Sequence, residues 1–143
     1  MASTKGTLKY RKVKREGKLC NGLYYATAVA DRTVDFEEFV THIADHTSPF
    51  SRGTVHGVLM DALSCLQELV LDGKNVRFGD LGLFSIGFSS KGQENKEDVS
   101  TADIKSVHLI VRNTKTWSNS ELAKKCRIEE YTTYEDKKAG FTE

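Results

Sequence analysis

The sequence predicts an α+β fold in which a helical hairpin is followed by a three-stranded antiparallel sheet. Apolar residues recur at helical spacing from Phe36 and again from Val55, which indicates two amphipathic helices. Apolar residues then alternate with other residues along 76–88 and 107–111, the pattern of half-buried strands. Glycines separate these segments and mark the turns between them.

The length and composition favour a single soluble domain with an extension at each end. The 143 residues are 38% hydrophobic and 29% charged, which is ordinary for a globular protein. We expect no membrane partner and a cytoplasmic location, because the sequence shows neither a long apolar run nor a secretory signal. The three cysteines (Cys20, Cys65 and Cys126) are far apart and form no CxxC pair, so a zinc site is not expected.

The net charge of +1 conceals an uneven distribution. Residues 5–18 carry seven basic side chains against Glu16 alone, whereas residues 128–143 carry two basic and five acidic side chains. We therefore expect a basic N-terminal extension at 1–32, a central domain at 33–127 and an acidic C-terminal tail at 128–143.

Two strands are predicted within the N-terminal extension. Residues 7–14 (TLKYRKVK) and 23–30 (LYYATAVA) are rich in β-branched and aromatic side chains, and they could pair as a hairpin. The first strand has two interpretations. It is either a phosphate-facing surface or an edge strand whose lysines prevent pairing with other chains.

Both helices carry recognisable termini. Asp35 and Glu38 have the spacing of a capping box, Ser51 caps the second helix, and Gly73 ends it as a left-handed cap. Pro49 ends the first helix because the residue before a proline disfavours helical geometry. The apolar stripes exceed what two helices can bury against each other, which favours a dimer that shares one core.

The hairpin after the helices leads into a polar arm. Gly79 and Gly82 frame its turn, where glycine can take a positive φ or admit a close backbone. The arm, residues 89–106, has almost no apolar periodicity and a net charge of −1, and polar inserts of this length are usually functional or mobile. A strand at 107–111 and a short helix from Asn119 to about Arg127 complete the predicted order.

This order resembles the HU and integration-host-factor family of bacterial histone-like proteins. In the positions of the family's junction stand Gly73, Val76, Phe78 and Leu81-Gly82-Leu83-Phe84, with Asp80 replacing one glycine. Val111-Arg112-Asn113-Thr114-Lys115 is similar to the family's segment before its last helix, although Val111 and Thr114 replace a phenylalanine and a glycine. The N-terminal strand pair is similar to an extension found in the Bacteroidetes subgroup of HU-like proteins.

The resemblance implies an intertwined homodimer whose two β-arms embrace double-stranded DNA. It implies non-sequence-specific DNA binding with bending and compaction, in a cytoplasmic, nucleoid-associated protein. Basic side chains bind phosphates and release counterions, and apolar wedges between base steps bend the duplex. The DNA-binding residues expected on this basis are Lys9, Arg11, Lys12, Lys14, Arg77, Lys91, Lys96, Lys105, Arg112, Lys115, Lys124 and Lys125.

Two departures from the family favour DNA contact by the body and the N-terminal face rather than by the arms. The family's arm is usually basic and carries a wedging proline, but this arm is acidic and the only proline is Pro49. The alternative function is an HU-like structural or protein-interaction module with weak or lost DNA binding.

Other functions have little support in the sequence. His42 and His46 have a spacing that can bind a metal, but no third ligand is evident, so a solvated helix face is the preferred interpretation. No phosphate-binding loop and no nucleophile motif is present. We therefore expect no enzyme activity, no cofactor and no small-molecule substrate.

Overall fold

The computed structural model describes residues 6–19 and 21–131. Within these, residues 6–34 and 122–131 form one compact unit, and residues 35–121 form a second. Each unit contains its own three-stranded sheet. The α+β class predicted from the sequence is confirmed.

The sheet of the first unit contains β1 (Gly6–Arg15), β2 (Leu23–Val29) and β6 (Cys126–Glu130). Its order is β2-β1-β6, with β1 antiparallel to β2 and parallel to β6. The predicted hairpin of β1 and β2 is present, but β1 is the central strand. The interpretation of β1 as an edge strand is therefore wrong.

The third strand contains the first residues of the predicted C-terminal tail. Residues 128–130 lie in β6, where Ile128 pairs with Leu8 and Glu130 with Tyr10. The partner strand lies more than 100 residues away along the chain, so the local sequence carries no signal for the pairing. The rest of the predicted tail, residues 132–143, lies outside the described residues.

The second unit begins with α1 (Phe36–Asp45) and α2 (Arg52–Leu71). The predicted capping box is present. The Glu38 N–H donates to Asp35 Oδ1 at 2.8 Å, and the Asp35 N–H donates to Glu38 Oε2 at 3.3 Å. Ser51 caps α2 by accepting a hydrogen bond from the Thr54 N–H at 3.2 Å.

The end of α2 is a left-handed glycine cap. Gly73 has a φ of +78°, which a residue with a Cβ rarely adopts. The Lys74 N–H donates to the Leu69 carbonyl and the Gly73 N–H donates to the Val70 carbonyl, each at 3.1 Å. These two bonds satisfy helix carbonyls that would otherwise lack donors, which stabilises the end of the helix.

Polar contacts of Glu37 join the two helices. Its carboxylate accepts hydrogen bonds from Arg52 and from His56, the latter at 3.0 Å. Arg52 Nε also donates to Thr41 Oγ1 at 2.9 Å. The Arg52 guanidinium holds the pKa of Glu37 below its ordinary value. These solvent-exposed contacts link α1 to α2.

The sheet of the second unit contains β3 (Val76–Phe78), β4 (Gly82–Ser90) and β5 (Ile104–Asn113) in the antiparallel order β3-β4-β5. It is the three-stranded antiparallel sheet that the sequence predicts. A short helix α3 (Asn119–Lys125) follows β5. The predicted end of this helix at Arg127 is two residues too late, because Cys126 already begins β6.

The two glycines of the β3–β4 turn serve different purposes. Gly79 has a φ of +54°, so it provides the left-handed conformation of the turn. Gly82 instead allows a close approach, since a Cβ at this position would lie 2.7 Å from the Arg112 carbonyl oxygen. Both reasons for glycine that the sequence suggested are therefore present, one at each position.

The second unit buries few apolar side chains within one chain. Among the described residues, the buried apolar side chains are Val40, Val55 and Val70, and of these Val40 is fully buried. Helix α2 is also long and apolar enough, by length and composition alone, to cross a membrane, contrary to the sequence-based expectation. One such helix is weak evidence for a span, and α2 carries the charged residues Asp61 and Glu68. Its exposed apolar surface requires another explanation.

We predict that Gly82→Ala lowers the free energy of unfolding by about 1–3 kcal/mol, because the added methyl group would displace the backbone at Arg112. Chemical denaturation at fixed protein concentration measures the change. Gly92→Ala is the matched control, because a Cβ at Gly92 meets nothing within 4 Å. Equal stability of the two variants would show that the sheet accommodates the methyl group.

Candidate nucleic-acid interface

The β3–β4–β5 sheet has two chemically different faces. Residues that lie opposite each other on antiparallel strands share a face, and the faces alternate along each strand. One face, which we call the apolar face, carries Val76, Phe78, Phe84, Ile86, Phe88, Val107, Leu109 and Val111. The other, the polar face, carries Arg77, Leu83, Ser85, Gly87, Ser89, Ser106, His108, Ile110 and Arg112.

Two of the predicted DNA-binding residues meet on the polar face. Arg77 on β3 and Arg112 on β5 both lie opposite Leu83 on the central strand, so the three residues form one row across the sheet. Both arginines are exposed. We call this set the arginine row. It places two guanidinium groups, which suit phosphate oxygens, on one side of the sheet.

Small side chains continue the polar face beyond the arginine row. Gly87 lies opposite His108, and Ser89 lies opposite Ser106 with their hydroxyl oxygens 2.7 Å apart. A Cβ at Gly87 would lie 2.8 Å from the terminal methyl group of Ile110, so a larger residue here would require the Ile110 side chain to move. Glycine and serine allow a large polyanion to approach the backbone closely.

Lys115 contributes less net positive charge than the arginine row. Its Nζ lies 3.5 Å from Asp80 Oδ1, and the Thr114 hydroxyl donates to the Asp80 carbonyl at 3.1 Å. Asn113 Nδ2 donates to the Trp117 carbonyl at 2.7 Å. These contacts connect the chain after β5 to the β3–β4 turn. The Asp80 carboxylate partly neutralises the charge of Lys115.

The predicted arm, residues 89–106, ends in a closed loop. Strand β4 continues to Ser90 and β5 begins at Ile104, and two short 3₁₀ turns (Lys96–Asp98 and Thr101–Asp103) lie between them. The three predicted lysines of this segment, Lys91, Lys96 and Lys105, are exposed. They share the arm with the acidic residues Glu94, Glu97, Asp98 and Asp103.

Asp103 closes the loop. It is only 9% exposed. Its carboxylate accepts hydrogen bonds from the Ser100 N–H at 2.8 Å and from Gln93 Nε2 at 2.7 Å, and its carbonyl accepts from the Lys91 N–H at 2.8 Å. The hydrogen bond from the Ser100 backbone, with that from Gln93, lowers the pKa of Asp103. The arm therefore has a fixed end.

The N-terminal sheet divides its predicted DNA-binding residues between two faces. Lys9 and Arg11 lie on one face of β1, and Lys12 and Lys14 lie on the other. Lys9 Nζ and Arg11 Cζ each lie 5.5 Å from the centre of the Tyr131 ring, within the range of cation–π attraction.

Carboxylates contact Lys12 and Lys14, the two lysines on the opposite face of β1. Lys12 Nζ lies 2.8 Å from Glu130 Oε1, and Lys14 Nζ lies 3.5 Å from Glu16 Oε1. The hydrogen bond to Glu130 raises the pKa of Lys12. The structure thus places acidic partners at both lysines of this face.

The DNA-binding residues predicted from the sequence omit two further cations on the face of Lys9 and Arg11. Arg15 follows by the two-residue alternation of β1, and its guanidinium lies 5.3 Å from the Tyr25 ring centre. Arg127 lies opposite Thr7 on β6. The alternation could have revealed Arg15, but Arg127 depends on a parallel pairing that the sequence does not show.

Lys124 and Lys125 form the basic last turn of α3. Cations at this position interact favourably with the carbonyl end of a helix, which gives them a structural role besides any ligand contact. They belong to the compact unit of the N-terminal sheet, whereas the arginine row belongs to the other unit.

The histidine pair of α1 does not form a recognisable metal site. The His42 and His46 rings have centroids 5.4 Å apart. Within residues 6–19 and 21–131, no group of three or more His, Cys, Asp or Glu side chains is placed to hold a metal ion.

A helical hairpin followed by a three-stranded sheet, whose two sides are the apolar face and the polar face, defines an HU-like α+β domain. The chain matches the family described as "HU domain fused to wHTH, Ig, or Glycine-rich motif" over residues 7–129. The match covers well over half of the chain, so the chain belongs to this HU-HIG family. The resemblance to HU-like proteins is confirmed.

A solved structure from Bacteroides vulgatus ATCC 8482, described as a "Putative bacterial DNA binding protein", has a similar fold. The TM-score is 0.67 at 15% sequence identity, over 88% of this chain and 48% of the other. The chain therefore spans about half the length of that protein, and the likeness at this identity shows the fold alone. No curated protein sequence matches the chain.

We predict that acid opens the arm loop. Hydrogen bonds hold the pKa of Asp103 below its ordinary value of 3.8, so its stabilisation is complete above that value and is lost as pH falls through the lowered pKa. Amide exchange followed by NMR should show protection of Ser100 and Lys91 at neutral pH and its loss in acid.

Asp103→Asn is the matched variant, because an amide cannot ionise. Its Ser100 and Lys91 amides should be less protected at neutral pH and should show no acid-dependent step. Equal protection of these amides in the unmodified protein and in Asp103→Asn at neutral pH would contradict the role given to the carboxylate.

Proposed function

We propose that this protein binds double-stranded DNA with little sequence preference, through the polar face of its β3–β4–β5 sheet. The observation that carries this proposal is the arginine row, two exposed guanidinium groups opposite Leu83 on a face of otherwise small or uncharged side chains. Membership of an HU family and the description of the structural neighbour support it.

The chemistry of the polar face favours phosphate contact over the reading of bases. Arginine side chains and serine hydroxyls are typical phosphate ligands, and phosphate contacts carry no sequence information by themselves. Neutralised phosphates release condensed counterions, which provides affinity that is independent of sequence and decreases with salt. A cytoplasmic, nucleoid-associated protein would meet such DNA.

We further propose that the protein acts as a homodimer that covers the apolar face and the exposed helix surfaces. Phe88, Val107 and Leu109 are 60%, 62% and 55% exposed in the single chain. Contiguous exposed apolar surface of this kind marks an interaction site. A two-fold dimer would also duplicate the arginine row, so that one DNA segment meets four arginines.

DNA bending and compaction by this dimer would arise from its body. The arm loop is closed by Asp103, it is acidic, and it has no proline to wedge between base steps. Neutralising phosphates on one side of a duplex leaves repulsion among the phosphates of the other side, which favours bending toward the protein. This mechanism requires no intercalating residue.

We predict that Arg77→Ala and Arg112→Ala each weaken binding of a duplex of about 30 base pairs and lower the log–log salt slope by about 0.9 for each phosphate that is no longer neutralised. The reason is that each substitution removes a cation from the arginine row. Fluorescence anisotropy across a salt series measures both quantities.

The matched controls are Arg77→Lys and Arg112→Lys, which keep the charge and should retain most of the affinity and slope. Unchanged binding of both alanine variants would exclude the polar face as the interface. Absence of binding by the unmodified protein at low salt would instead favour the alternative, an HU-like protein-interaction module.

We predict that Leu109→Glu converts the dimer to a monomer of about 16.0 kDa, because a carboxylate on the apolar face cannot be buried without a partner. Size-exclusion chromatography with light scattering measures the mass.

His108→Glu is a strict control, since His108 is the adjacent residue on the opposite face. This variant should keep the dimer mass and lose DNA affinity, because its new negative charge lies on the polar face. Dissociation by both variants, or by neither, would contradict the assignment of the two faces.

A further inference from the structure

We propose that strand β6 is an intramolecular competitor of DNA for the basic strand β1. The inference rests on the proposed DNA binding. It takes β1, which the sequence predicts to bind DNA, as a contact in addition to the arginine row, and it adds a regulation of that contact. Strand β6 pairs with β1 in parallel along five residues, from Gly6 opposite Cys126 to Tyr10 opposite Glu130. The Tyr131 N–H extends the pairing by donating to the Tyr10 carbonyl at 2.9 Å.

This pairing brings two carboxylates to the basic strand. Glu129 and Glu130 are consecutive, so they lie on opposite faces of the sheet, Glu129 opposite Lys9 and Glu130 opposite Tyr10. The Glu130 carboxylate reaches Lys12 at 2.8 Å. Each face of β1 therefore has one acidic residue near its cations. These carboxylates can take the place that DNA phosphates would occupy.

Tyr131, which follows β6, also contacts cations of the basic strand. The centre of its ring lies 5.5 Å from both Lys9 Nζ and Arg11 Cζ. Residues 129–131 therefore contact or face three of the four cations that the sequence predicts as N-terminal DNA ligands. A duplex that used this surface would have to replace those contacts.

The exposure of the ion pair indicates a modest and reversible competition. The Lys12 and Glu130 side chains are 60% and 49% exposed, and ion pairs of this kind are weak and screened by salt. Backbone pairing nevertheless holds the carboxylate beside the lysine at a high effective concentration. The strand therefore reduces the DNA affinity of β1 without blocking it, and displacement of β6 would restore that affinity.

A double-mutant cycle tests this competition. Glu130→Gln keeps the size of the side chain but removes its charge, and we expect about threefold tighter binding of a 30-base-pair duplex and a salt slope steeper by about 0.9. Lys12→Ala in the Glu130→Gln background should abolish this gain. Lys12→Ala alone should change affinity less, because Glu130 already engages the lysine.

Glu68→Gln on α2 is the control, because it makes the same change in net charge in the other compact unit. Circular dichroism verifies that each variant is folded. Tighter binding by Glu130→Gln but not by Glu68→Gln, lost with Lys12→Ala, supports the inference. Equal gains in both glutamine variants, or no gain in either while the unmodified protein binds DNA, overturn the inference alone. No DNA binding by any variant overturns the proposed function together with it.

Discussion

Two-residue alternation along β4 and β5 determines the chemistry of both faces of the second sheet. Because paired residues share a face, Phe84, Ile86 and Phe88 meet Val111, Leu109 and Val107 on one side. The same register brings Arg77 and Arg112 to the other side. A shift of one residue would mix these sets, so the hydrophobic pattern that fixes the register also assembles the cationic surface.

Local signals in the sequence predict most of the second unit. The Asp35–Glu38 box, the Ser51 cap and the left-handed Gly79 act within a few residues, so their effect can be read from spacing. Gly82 instead depends on the pairing of β4 with β5, because it lies against the Arg112 carbonyl. The arginine row follows from alternation once the strands are paired. These elements have in common that each depends on neighbours along the chain or on a hairpin register.

The N-terminal sheet could not be predicted in the same way. Strand β6 joins β1 from the far end of the chain, and its sequence, CRIEE, contains one large aliphatic residue. A parallel pairing between distant segments leaves no local pattern. The sequence therefore leaves the basic segment open to interpretation as a phosphate-facing surface or as an edge strand, whereas its cations lie on two faces of a central strand and Lys12 has an acidic partner. The composition gives the number of charged residues, but the strand pairing is needed to identify which groups each charged side chain contacts.

The distribution of partners also explains how a chain of net charge +1 can offer a cationic surface. Three acidic residues lie beside groups that they engage: Glu130 beside Lys12, Asp80 beside Lys115, and Asp103 within the arm loop. Each either neutralises a lysine or satisfies backbone donors. On the polar face, by contrast, the register aligns two arginines with small and uncharged residues. The position of the negative charges, rather than the total charge, leaves the arginine row as the strongest candidate for binding DNA.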